Sequence, residues 1–170
     1  MGRTESKFVI INPPVPGIHL PLFCEKKDVS GIKTALHAEG CPKGENKFDD
    51  LNKLIKLDPI QNRIAVRNGA EKNSSVDFLI LLSANKVVLV EAKYNARSCS
   101  SIKREEIEGK VRSSKAIITL DFGYFFHPSV YMLFTKSVIV PSRRNELKKK
   151  FRNSPRYEFL NTEEFKALFA

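Results

Sequence analysis

Cysteine is scarce in this chain. Cys24, Cys41 and Cys99 are the only thiols in 170 residues, too few and too scattered for a disulfide framework, and they are expected to be reduced. None belongs to a Cys-x-x-Cys knuckle, so His37 with Cys24 and Cys41 lacks the paired spacing of a structural zinc site. No apolar run approaches the ~20 residues that a membrane-spanning helix needs. The opening MGRTESKFVIINPPVPG has no continuous apolar core of the kind a signal peptide carries. An intracellular protein, cytoplasmic or nuclear and without membrane association, is therefore expected. Gly-rich phosphate loops, Ser/His/Asp sets, internal repeats and a linker between two domains are also missing.

What the chain has is positive charge. Twenty-nine Lys and Arg against 19 Asp and Glu leave a formal charge of +10. Such a surface concentrates polyanions and steers their approach, which makes nucleic acid the expected partner. With 42% hydrophobic residues the chain has the composition of a globular domain, and its length suits one domain with a sizeable core.

Residues 1–43 hold Pro13, Pro14, Pro16 and Pro21 among short apolar pieces and read as an extended arm or loops with one early strand. From Gly44 the apolar residues Phe48, Leu51, Leu54 and Ile55 recur at helical spacing, which predicts a helix ending before Asp58-Pro59. On that helix Glu45 lies nearer the apolar edge than Asp49, where it would look along a sheet or complement the helix dipole. Residues 63–67 alternate like a strand, and 75–96 form two apolar strands around a Ser83–Lys86 turn. A charged helix over 102–114, strands over 116–120 and 130–134, and a basic helix over 143–152 follow. A strand at 157–160 and a helix capped by Asn161 and Glu164 close the chain. The alternation predicts an α/β fold, a mixed central β-sheet flanked by helices, with one domain divided into an extension (1–43), a core (44–134) and C-terminal basic and capping elements (135–170).

The chemistry concentrates at the second strand of the hairpin. Glu91 and Lys93 end an otherwise apolar run, and two residues apart on a strand they share a face. Neither charge is cheap to bury unless paired or bound to something. The Glu-x-Lys triplet has no weight by itself, because it recurs at Glu25, Glu45, Glu108, Glu146 and Glu164. Glu91-Ala92-Lys93 alone of these ends an apolar strand with an acid, Asp77, on the hairpin partner. If the turn centres on Ala84 or on Asn85, Asp77 falls opposite Glu91 or Lys93, and all three share one face. A turn centred between those residues would put Asp77 on the other face. Two carboxylates at one site need a cation between them. Mg²⁺, or Mn²⁺ in its place, takes one or two carboxylates and bridges to phosphate oxygens.

Asp77, Glu91-Ala92-Lys93 and an acid on the preceding helix, in this order of elements, resemble the PD-(D/E)XK nuclease superfamily, with its restriction-endonuclease-like αβββαβ core. The resemblance covers residues 44 to about 134 and has two departures. Val76 stands where the motif has proline, and the Gln-x-x-x-Tyr element of the RecB-like branch is absent after Lys93. It implies that Asp77, Glu91 and the Ala92 carbonyl hold Mg²⁺, that Glu45 is the additional acid, and that Lys93 is the catalytic lysine. The function expected is a metal-dependent endonuclease on DNA, with RNA as the alternative substrate and a catalytically inactive nucleic-acid-binding module as the alternative role. A chain this small would act as a homodimer to cut both strands in concert. Lys103, Arg104, Lys110 and Arg112 after the site, and Arg143, Arg144, Lys148 and Lys149 on the basic helix, are candidates for phosphate contacts. The rings of Tyr124, Phe125, Phe126 and His127 suit either base stacking or packing of a turn.

Overall fold

The computed structural model describes residues 6–21, 25–152 and 156–170; Cys24 lies outside them. In chain order the elements are β1 (Ile18–His19), β2 (Val29–Gly31), α1 (Ile32–Ala38), β3 (Lys53–Lys56), α2 (Asp58–Asn68), β4 (Phe78–Leu82) and β5 (Lys86–Ala92). They continue with α3 (Arg104–Ala116), β6 (Thr119–Leu120), β7 (Phe125–Phe126), β8 (Ser129–Phe134), α4 (Pro141–Lys150), β9 (Arg156–Asn161) and α5 (Thr162–Lys166). Seven strands form one mixed sheet in the order β2-β3-β4-β5-β8-β9, with β7 added beside the start of β5. β2 to β5 run antiparallel, and β5, β8 and β9 run parallel. The strands beside the parallel join are apolar on both faces, as sheets covered by helices on both sides require. Leu79, Leu81, Val87, Leu89, Val130 and Met132 pack under α2, α3 and α4 through Ile60, Ile107, Val111 and Leu147. Phe78, Ile80, Val88, Val90, Tyr131 and Leu133 pack on the other face against Ile32, Ala35 and Leu36 of α1 and Phe165 of α5. The class expected from the sequence, α/β with a mixed sheet flanked by helices, is the class observed.

Four local expectations are corrected. The helix expected after Gly44 is a 3-10 turn at Lys43–Glu45, an irregular segment and the strand β3. Leu54 and Ile55 are both buried because they enter opposite faces of the sheet, while Leu51, which a helix would bury, is 79% exposed. The side chains of Asn46 and Asp49 accept the backbone N–H groups of Phe48 and Leu51, local turns that compete with a helix. The same segment caps α1, which starts at Gly31 without a capping side chain of its own. Asp50 accepts the N–H and hydroxyl of Thr34 at 2.9 and 2.8 Å, and Asn52 O accepts the N–H of Ile32. A Cβ at Gly31 would lie 2.1 Å from Asp50 Oδ1, so glycine is what lets the cap close.

Residues 63–67, expected as a strand, belong to α2. Pro59 opens that helix and Gly69, in the left-handed region, closes it, and these punctuation signals outweigh a short alternation. Val66 is left 83% exposed. Residues 1–43 are not an arm throughout, since β2 pairs with β3 inside the main sheet and α1 covers it. The strand expected over 116–120 shrinks to β6, which pairs with β1 outside the main sheet, because α3 runs on to Ala116. The basic helix and the capping box of Asn161 with Glu164 form as expected.

Candidate active site

The hairpin register decides where the charges meet. Leu82 pairs with Lys86 and Phe78 with Val90, so the turn centres on Ala84 and the next pair outward is Asp77 with Glu91. Ala84 and Asn85 both take φ of 61° to close it. Glu91 follows Val87 and Leu89 on the face covered by α3, and Asp77 precedes Leu79 and Leu81 on that same face. Ala92 points to the opposite core, while its N–H donates to Asp77 Oδ2 at 2.7 Å. Lys93 N donates to Leu133 O, which holds the strand end against β8.

These residues line one cleft of about 370 Å³, and Glu39, Asn95, Ser101, Lys103, Glu106 and Lys110 complete its polar wall. Glu91 is the buried member, its side chain 1% exposed. Its Oε1 accepts from Lys110 Nζ at 2.7 Å and lies 3.2 Å from Lys93 Nζ. Its Oε2 is equally withheld from solvent and has no hydrogen-bond partner, a costly state for a carboxylate oxygen. Burial, and after it the charge of Glu91, push the Asp77 carboxyl up to about 7 against the pull of the Ala92 N–H. Glu39 is also raised, by burial first and then by Glu91. Burial works against the charge on Lys110, but Glu91 outweighs it and the ammonium is held above its ordinary value. The cleft is a crowd of carboxylates balanced by lysines.

Glu45 does not join them. It sits on the 3-10 turn and accepts the N–H of Lys136 at 2.7 Å, because the helix meant to carry it does not form. Glu39 is the acid that the first helix delivers. It ends α1, and Gly40, with φ of 98°, turns the chain so closely that a Cβ there would lie 2.9 Å from Asn95 Oδ1. The signal for it was Ile32, Ala35 and Leu36 at helical spacing followed by Glu39-Gly40, a helix stop.

The expected phosphate contacts divide. Lys103 lines the cleft and is exposed; Arg112, Lys148 and Lys149 are exposed. Lys110 is held by Glu91, and Arg104 pairs with Glu108 at 2.7 Å. Arg144 makes two hydrogen bonds to Glu164, at 2.8 and 2.7 Å, which makes it a brace between α4 and α5. Arg143 is half-buried. Lys150 donates to the carbonyls of Cys99 and Ile102 and so fixes one wall of the cleft. Three rings of the 124–127 cluster pack the turn: Tyr124 lies over Gly17, Phe126 enters the core, and His127 sits edge-on to Phe8, while Phe125 is exposed. Phe125 and Phe126 pair with Lys86 and Val87, at the end of β5 away from Glu91.

Among the described residues no three His, Cys, Asp or Glu side chains converge as a ready-made metal cage. Nor is any helix of the described residues long and apolar enough to cross a membrane. Compared with protein-family models, curated proteins and solved structures, the chain matches none.

Proposed function

We propose that the chain is a metal-dependent nuclease hydrolysing phosphodiester bonds, DNA in preference to RNA. One observation carries this reading: Asp77 stands opposite Glu91, with Lys93 beside it, on one sheet face inside one cleft. The order of α1, the antiparallel β3, β4 and β5, then α3 and the parallel β8, with α2 inserted between β3 and β4, supports it, since apart from that insertion it is the order of the PD-(D/E)XK core. The residues suit a hard divalent cation, because two carboxylates are enough for one that keeps its waters and Glu91 Oε2 is a buried acceptor in need of a partner. Asp77, Glu91 and the Ala92 carbonyl would hold Mg²⁺ or Mn²⁺, with Glu39 in the place expected of Glu45. When bound, such an ion polarises the scissile phosphate and acidifies a water. Lys93, 20% exposed and 3.2 Å from Glu91, orients the attacking water and offsets charge on the phosphate. Lys103 at the rim takes an adjacent phosphate.

The test is a panel of single-stranded, double-stranded and branched DNA together with RNA, each incubated with Mg²⁺, Mn²⁺ or EDTA. Cleavage that needs the divalent ion, falls by roughly 10²–10⁴-fold in Lys93→Ala and leaves gel-shift binding intact is the expected result. Cleavage confined to RNA moves the substrate assignment to RNA. Binding without cleavage of any substrate replaces the enzyme by a nucleic-acid-binding module. That second role has its own observation, since Lys93 and Lys110 both pair with Glu91.

A further inference from the structure

α3 turns Ile107, Lys110, Val111 and Ser114 toward the sheet, and only Lys110 among them brings a charge. Its place is fixed by more than its ion pair. Ser114 Oγ donates to Lys110 O at 2.7 Å and accepts the N–H of Val76 at 2.9 Å, which ties this turn of α3 to the residue beside Asp77. Gln61 of α2 donates to Ser113 O from the other side. The ammonium is thereby delivered to a carboxylate oxygen that solvent cannot reach, and it is the closest partner Glu91 has. We infer that Lys110 is a counter-cation built into the site: it holds Glu91 where a divalent ion would otherwise sit and sets how tightly that ion binds.

The inference rests on the nuclease reading for the identity of the ion, but its consequences are separate. A buried carboxylate without a cation is costly, so Lys110 keeps the metal-free fold intact. An ammonium touching the same carboxylate repels an incoming divalent ion, and near a partly buried site that repulsion is screened only in part. Lys110 thus trades divalent affinity for stability without metal. The other oxygen of Glu91, Oε2, remains the acceptor that the lysines leave unserved.

The experiment compares the full chain with Lys110→Met, Lys110→Gln and Lys110→Arg by calorimetric titration with MnCl₂ and by thermal unfolding in EDTA and in Mn²⁺. Lys110→Met is expected to melt below the wild type in EDTA and to bind Mn²⁺ roughly tenfold more tightly, so that Mn²⁺ raises its melting temperature more. Lys110→Arg should restore both properties to wild-type values. Lys110→Gln keeps a hydrogen-bond donor to Glu91 and reports the charge effect should the Met variant not fold. Equal or weaker Mn²⁺ binding in the neutral variants overturns the proposal, and weaker binding would make Lys110 merely an orienting partner of Glu91. If the wild type cleaves and the neutral variants bind no more tightly, the counter-cation role fails alone. If neither the wild type nor the folded neutral variants bind Mn²⁺, it fails together with the metal site. If only the neutral variants bind, the role of Lys110 stands and the active-nuclease reading fails.

Discussion

Asp77 carries a conflict that its neighbours impose. Its carboxyl is half-buried, stands opposite the buried Glu91 and receives one N–H, from Ala92. Asparagine at this position keeps an oxygen for that N–H and removes the repulsion, so Asp77→Asn should stabilise the metal-free protein by about 1 kcal/mol. In a chain of this size that is a rise of about 2–4 °C in melting temperature. The same variant should lose cleavage and the stabilisation by Mn²⁺, the trade expected of a group kept for function. A lower melting temperature in EDTA would show that Asp77 is a structural acceptor and not a strained site carboxylate. At this scale Asp77, Glu91 and Lys93 were legible in the sequence because strand alternation and a short hairpin relate them locally. Glu39 was missed because α1 brings it in from far back in the chain, and Lys110 was read as a phosphate contact because its pairing with Glu91 depends on how α3 packs on the sheet. Glu45 misled because its placement depended on a helix that the chain does not form.

Among the elements, the segment between α1 and β3 shows why helical spacing deceived. Adjacent apolar residues such as Leu54 and Ile55 satisfy a strand buried on both faces as well as they satisfy a helix. What decides is the demand of α1 for acceptors at its first N–H groups, which Asp50 and the Asn52 carbonyl meet. The N–H and hydroxyl of Thr34 hold the Asp50 carboxyl below its ordinary range. Asp50→Ala should therefore cost about 1 kcal/mol and loosen the helix that presents Glu39, read as a lower urea midpoint with faster amide exchange in α1. The brace between α4 and α5 gives a pH test. Burial raises the Glu164 carboxyl, but Arg144 and the Asn161 N–H outweigh it, and the net value lies below the ordinary 4.5. A carboxylate depressed in the folded state contributes fully above its unfolded value and loses that contribution as pH falls through the folded one. The melting-temperature gap between wild type and Glu164→Gln should thus be full at neutral pH and close on acidification below about 4.5. A gap that does not change with pH would assign the effect to packing.

For the molecule as a whole, the excess of basic residues was plain in the sequence, but which cations face outward was not. Arg144, Lys110 and Lys150 spend their charge on Glu164, on Glu91 and on two loop carbonyls, whereas Lys103, Arg112, Lys148 and Lys149 are exposed. α3 and α4, which carry them (Lys103 just ahead of α3), cover the same sheet face that holds Asp77 and Glu91. A polyanion entering the cleft would therefore run across these two helices. Each phosphate neutralised by an exposed lysine releases counterions, so log K should fall with log salt by about 0.9 per contact on duplex DNA. In a Lys93→Ala background, which prevents cleavage during the measurement, Lys148→Glu with Lys149→Glu should weaken duplex binding and reduce that slope by up to about 2. Its unfolding free energy should stay within about 0.5 kcal/mol of the parent, because both side chains lie on the surface. Arg144→Ala should do the reverse, lowering the melting temperature while leaving the slope unchanged. Fluorescence anisotropy of labelled duplex over a salt series separates the two cases. A slope unaffected by the double lysine variant would take α4 off the substrate path and leave α3, through Lys103 and Arg112, as the surface that meets the backbone.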